Sequence, residues 1–171
     1  MKKNVTKRIG ALLLIVTLFA AIACAAAEGY AASDNCVSLV ARFEPCNYKA
    51  VKDPAGVWVV GYGHTENVTQ NTVIATEAEA RALLKKDLAR HAATVNSLIA
   101  NGTIGFEMNQ NRFDALVAFT FNCGSGYLQK LVKGRAADEV AQQMLTYCKG
   151  GGRVLPVLVE RRQAEHDLFV R

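Results

Sequence analysis

The sequence predicts an α+β domain, mostly helical and organised as two lobes. Three observations point there. One stretch, Lys49 to Gly63, reads as β structure; one unusually long helical pattern follows Thr76; and apolar residues at helical intervals fill most of the rest. With 171 residues, 51% of them hydrophobic and 20% charged, the chain can enclose one sizeable core but not two full domains.

The first 27 residues differ from the remainder. Lys2, Lys3, Lys7 and Arg8 precede an apolar run from Ile9 to Ala27 that carries no charge, the layout of an export signal. Ala25-Ala26-Ala27 before Glu28, or Gly29-Tyr30-Ala31 before Ala32, would suit a signal peptidase. The rival readings are a signal anchor, since the run is near the lower limit for spanning a bilayer, and lipid attachment at Cys24. Either leader implies passage across the cytoplasmic membrane to a secreted, periplasmic or cell-wall location, with transient contact at the inner membrane.

Charge and cysteine content follow from that division. The leader holds four of the 20 basic residues and none of the 15 acidic ones, so a net charge of +5 falls to +1, from 16 basic against 15 acidic. Nucleic-acid binding thereby loses its main support. Without Cys24, four cysteines remain: Cys36, Cys46, Cys123 and Cys148. In an oxidising compartment they could form two disulfides, the most local pairing being Cys36 to Cys46 and Cys123 to Cys148; buried free thiols are the alternative. No pair has the CxxC spacing of a zinc site, and nothing else calls for a metal or cofactor.

After a short flexible lead-in over residues 28–35, the domain proper is expected to cover 36–171. Val37, Leu39, Val40 and Phe43 fall at helical intervals, and Pro45 stops that helix at or near Glu44. From Lys49 to Gly63 the chain is rich in Gly, Val, Trp and Tyr around Asp53-Pro54-Ala55-Gly56, which predicts a small antiparallel sheet, the only β segment expected. Thr76 with Glu79 forms a capping box, and Leu84, Leu88, Val95 and Leu98 continue one apolar face to a stop at Asn101-Gly102. A helix of about 24 residues is twice the usual length and is expected to join an N-terminal lobe to a helical one. Further helices are predicted at about 110–122, 136–148 and 156–170, with Phe113, Leu116, Val117, Phe121, Leu158, Leu168 and Phe169 facing inward.

Two carboxylates draw attention for chemistry. Glu44 ends a helix and Asp53, nine residues on, enters a hairpin turn, so the sheet could fold back to set them across a cleft. Glycoside hydrolysis needs such a pair, one protonated and one ionised. Spacing of that kind is common among surface charges, so the surrounding sequence has to decide. The histidines, His64, His91 and His166, lie in no recognisable nucleophile–base context.

The surrounding sequence reads Val40-Ala41-Arg42-Phe43-Glu44, then Lys49-Ala50-Val51-Lys52-Asp53-Pro54-Ala55-Gly56-Val57-Trp58 and Gly61-Tyr62-Gly63-His64. It continues with Thr76-Glu77-Ala78-Glu79-Ala80, Gln110-Asn111-Arg112-Phe113-Asp114-Ala115-Leu116, Phe121-Asn122-Cys123-Gly124, and Gly151-Gly152-Arg153-Val154-Leu155-Pro156 through Arg161-Arg162-Gln163-Ala164-Glu165. In order and spacing it resembles glycoside hydrolase family 24, the phage-type lysozymes, over residues 36–171. The resemblance implies a two-lobed fold with the substrate cleft between the lobes. It implies hydrolysis of the β-1,4 bond between N-acetylmuramic acid and N-acetylglucosamine in bacterial peptidoglycan, by a monomer that needs no cofactor. Glu44 would be the general acid and Asp53 its partner carboxylate; Phe121 and Asn122 would line the cleft; His64 would pair with Asp87 as scaffold.

Four departures from the family pattern stand near the site. Val59 replaces the usual threonine six residues after the aspartate, which removes a hydroxyl able to hold water. Pro45 replaces the glycine after the acid, Val51 a tyrosine, and Val157 a glycine. They leave open a non-catalytic peptidoglycan-binding relative. A third reading is a lysin masked at the membrane and regulated by disulfide exchange, since Cys46 lies two residues from Glu44.

Overall fold

Helix α1 (Asp34–Phe43) begins where Ser33 accepts the Asn35 backbone N–H at 3.1 Å, an N-cap that starts the helix two residues earlier than expected. Its buried stripe is Cys36, Val37 and Val40. The helix stops at Glu44, whose backbone is extended (φ −106°, ψ 138°), because the ring of Pro45 crowds a helical conformation at the residue before it. This computed structural model describes residues 29–171 except Pro54, so the leader expected at 1–27 lies outside the described residues. Of the lead-in expected to be flexible, Ala31 to Ser33 are tied down. The buried Asp114 carboxylate accepts the Ser33 N–H at 3.0 Å and also the Ser33 hydroxyl, while Gln110 Nε2 donates to the Ala31 carbonyl at 2.8 Å.

Strands β1 (Asn47–Lys52) and β2 (Trp58–Gly61) pair antiparallel, with Val51 opposite Val59 and Lys52 opposite Trp58. The register slips between Asn47 and Val51. Beyond the sheet the chain returns along the free edge of β1, where Ile74 N–H donates to the Tyr48 carbonyl and Ala50 N–H to Thr72. That return covers an edge that would otherwise expose unpaired backbone groups.

Helix α2 (Glu77–Ala100) has the expected 24 residues, about 36 Å of rise, and packs on both the sheet and the helical part of the domain. The Thr76 hydroxyl accepts the Glu79 N–H at 3.2 Å, but Glu79 reaches back to Ala75 N–H at 2.7 Å, one residue beyond the partner of a regular capping box. Helix α3 (Gln110–Cys123) is buried over eight successive residues, Phe113 to Thr120, so it is enclosed on every side and forms the centre of the core.

Three elements were not foreseen. Helix α4 (Ser125–Val132) has eight residues, too few to show periodicity, and follows directly on Gly124. Strands β3 (Lys149–Gly150) and β4 (Arg153–Val154) make a second, two-residue hairpin, so Lys49 to Gly63 is not the only β segment. Helix α5 (Ala137–Met144) therefore ends four residues earlier than expected; Thr146 folds its hydroxyl back onto the Gln143 carbonyl at 2.7 Å and leads the chain into β3. Helix α6 (Pro156–Phe169) starts with a proline in its first turn and lies along α3. Ala31–Arg171 form one compact unit, and among the described residues no helix is long and apolar enough to cross a membrane.

Candidate active site

Glu44 stands at the end of α1 with about a quarter of its side chain exposed. Its Oε1 accepts from Arg161 Nη1 at 2.6 Å, and the Arg161 guanidinium also lies 5.8 Å from the centre of the Phe43 ring. Arg161 comes from α6 and is 3% exposed. Four positions on, one helical turn away, Glu165 accepts Arg161 Nε at 3.2 Å and Arg162 Nη2 at 2.8 Å on the same oxygen, Oε1. Arg162 and Glu165 have no solvent exposure at all. Burial pushes the Glu165 carboxyl above the usual range, and the two guanidinium charges oppose that rise only in part.

Arg162 then reaches α3. Its Nη2 donates to Asn122 Oδ1 at 3.0 Å and its Nη1 to Cys123 Sγ at 2.7 Å. Asn122, Cys123, Tyr127, Thr146, Tyr147, Lys149 and Leu158 line an open pocket of about 400 Å³ on the helical lobe. Phe121 is not among them. It turns to α2, where its ring meets His91 edge-on at 5.4 Å. Burial and the neighbouring Arg90 charge push His91 down, which favours the neutral ring.

Asp53 sits half-buried at the turn between β1 and β2. Its Oδ1 accepts Ala55 N–H at 2.9 Å and Val57 N–H at 2.8 Å, and its backbone pairs with Val57, so the side chain is fixed by the turn it closes. Beside it Lys52 lies over the Trp58 ring at 5.2 Å. Val59 lies half-buried on β2, opposite Val51.

His64 and Asp87 meet. His64 follows a tight turn in which Gly61 and Gly63 both take positive φ (60° and 92°), values that disfavour any side chain. Val60 and His64 exchange both backbone hydrogen bonds across that turn. The imidazole Nδ1 lies 2.9 and 3.0 Å from the Asp87 oxygens on α2, both residues 6% exposed, and Arg90 adds a third contact to Asp87 at 3.0 Å. Inside the same turn the hydroxyl of buried Tyr62 donates to Glu77 at 3.1 Å, and burial pushes its pKa up to about 12.

Neither local disulfide is formed; all four cysteines are free thiols. Cys36 faces the core with its Sγ donating to the Asp114 carbonyl at 3.4 Å, whereas Cys46 lies beside Tyr48 and Tyr62. Cys123 is engaged by Arg162, and Cys148 turns back to the Thr146 carbonyl at 3.9 Å. Among the described residues no cluster of His, Cys, Asp and Glu could hold a metal ion.

The phage lysozyme family model matches residues 41–165, which takes in both carboxylates, the glycine turn and the arginine pair on α6. The chain belongs to the phage lysozyme family. It is 35% identical over 146 residues to an endolysin of Acyrthosiphon pisum secondary endosymbiont phage 1, covering 80% of this chain and 96% of that one. A SAR-endolysin of Haemophilus phage HP1 is 32% identical over 152 residues, covering 80% of this chain and 79% of its own. The lysozyme fold is shared with the muramidase domain of SpmX from Asticaccaulis excentricus: TM-score 0.71, 32% identity, 84% of this chain and 99% of that one. P22 lysozyme gives a TM-score of 0.68 at 26% identity, over 83% and 99% of the two chains.

The residues that sequence reasoning passed over are Arg161, Arg162 and Glu165. An Arg-Arg pair with Glu four positions after the first would ordinarily be a solvated helix face. The available signal was their place: they sit on the last helix of the domain, at a spacing that puts Arg161 and Glu165 on one face.

Proposed function

We propose that this lysozyme-family protein is a muramidase, hydrolysing the β-1,4 bond between N-acetylmuramic acid and N-acetylglucosamine of bacterial peptidoglycan. Glu44 is the general acid for the leaving oxygen, and Asp53 is the carboxylate that activates water or stabilises positive charge at the sugar. The observation that carries this reading is the delivery of Glu44 at the capped end of α1, part-exposed and held by one buried arginine. An acid must be both fixed in direction and open to substrate. Asn122 contributes to binding on the helical lobe, His64 and Asp87 serve as scaffold, and the protein acts as an exported monomer without a cofactor or nucleic-acid partner. The leader motif of residues 1–27 and the likeness to a SAR-endolysin support export.

Analysis of muropeptides released from purified cell walls tests the reading. New reducing muramic ends establish the muramidase. Binding to walls whose glycan stays intact would favour the second reading, a binding-only relative, for which Val59 is the motivating observation.

A further inference from the structure

A four-charge cluster, buried except at part-exposed Glu44, runs from Glu44 to the side chain that holds Asn122. Glu44, Arg161, Glu165 and Arg162 sum to zero charge, and Glu165 is the member that both guanidiniums share. Such a cluster is poor at stabilising a fold. Taking the charges out of water costs about as much as their attraction returns, and here Arg161 Nη2, Arg162 Nε and Glu165 Oε2 are buried with no hydrogen-bond partner. What it does supply is direction.

A guanidinium has donors and no acceptor, so Arg162 can engage Asn122 only at its carbonyl oxygen. The Asn122 amide N–H groups are thereby left for the pocket, which Lys149 also lines. At the other end, Arg161 is divided between two carboxylates. An arginine facing Glu44 alone would hold that carboxylate ionised and withhold the proton a general acid must give. Sharing its charge with Glu165 relaxes that hold.

We propose that Glu165 is a positioning residue that, through its two arginine partners, keeps Glu44 able to carry a proton and aims the Asn122 amide into the pocket. The inference rests on the muramidase reading of Glu44. The charged and titratable groups facing Glu165 are Arg161 and Arg162 on α6, Cys123 on α3, Cys36 on α1, and, through Arg161, Glu44. Neither thiol supplies charge at neutral pH, because burial raises both. The carboxylate alone offsets the arginine pair on that side.

The test measures kcat and KM on purified cell walls across pH, with melting temperature in parallel, for three variants of the full chain. Glu165→Gln keeps the shape and removes the charge, so the basic limb of the pH–rate profile is expected to move to lower pH by about one unit. Arg162→Met frees the Asn122 carbonyl and is expected to raise KM about tenfold, as one oriented substrate hydrogen bond is lost. The double variant removes one positive and one negative charge but still leaves Arg161 with Glu44 as its one carboxylate, so its basic limb should stay at the lower pH and KM should stay high. Unpaired buried charge threatens the fold of either single variant, and then the neutral double variant decides: wild-type KM would overturn the inference. A Glu165→Gln protein with an unmoved limb and only a lower melting temperature would overturn it as well. Wild-type protein that releases no reducing ends would instead overturn the muramidase reading and this inference together.

Discussion

Arg161 holds Glu44 across 117 positions of sequence, its Nη1 donating to Oε1 at 2.6 Å. Because Arg161 is also bound to Glu165, replacing Glu44 by glutamine leaves no bare buried cation. Glu44→Gln is therefore expected to melt near the wild-type temperature and to lose about 10²- to 10⁴-fold in wall-lysis rate, the usual worth of general acid catalysis. Lysis at the wild-type rate by a folded Glu44→Gln protein would remove Glu44 from the chemistry.

Val59 stands on β2 opposite Val51, where the family resemblance leads one to expect a threonine able to hold water. Threonine is β-branched and nearly the same size, so the strand accepts it without repacking. Val59→Thr is expected to raise kcat severalfold on cell walls with little change in KM. An unchanged or lower kcat would show that the nucleophilic water is ordered by other groups.

The His64–Asp87 contact ties the glycine turn to α2, and Arg90 gives Asp87 a second partner. Loss of His64 leaves Asp87 its arginine, whereas loss of Asp87 leaves the imidazole facing Arg90. Asp87→Asn is thus expected to destabilise more than His64→Asn, each by about 1–3 kcal/mol as for a buried polar group losing its partner. The double variant should cost less than the sum. Denaturant unfolding of all three proteins measures this, and strictly additive values would refute the coupling.

Tyr62 predicts an alkaline effect. Its hydroxyl is raised to about 12 in the folded protein by burial and by the bond to Glu77, against 10 for a free tyrosine. Above pH 10 the unfolded chain releases this proton while the folded one keeps it, so stability is full below pH 10 and declines as pH rises towards 12. Tyr62→Phe should remove that part of the decline. Parallel melting curves for wild type and Tyr62→Phe from pH 9 to 12 give the difference, and identical slopes would refute it.

Much of this was legible in the sequence because it depends on neighbours along the chain. Pro45 stops α1 at Glu44, Thr76 starts α2, and the Gly61-Tyr62-Gly63 turn closes the sheet, each through contacts a few residues long. Helix α4 and the β3–β4 hairpin are too short to register as a period, and neighbours in space rather than in sequence determine them. The same holds at the site. Nothing local in Arg161-Arg162 distinguishes a buried relay from a solvated helix face; only the packing of α6 along α3 and against the end of α1 does so. The orientation of Phe121 was hidden for a related reason, since an aromatic ring beside Asn122 could face several ways, and in the structure it meets His91.

Ser33 is bound at both its N–H and its hydroxyl by Asp114, a carboxylate seated in the most enclosed of the described helices. Mechanically this makes the start of α1 a fulcrum and the helix a lever about 15 Å long, with Glu44 at its far end. The bonds from Asp114 and Gln110 thus anchor the start of the lever in the core, and the carboxyl at its tip keeps its aim for as long as those few bonds hold.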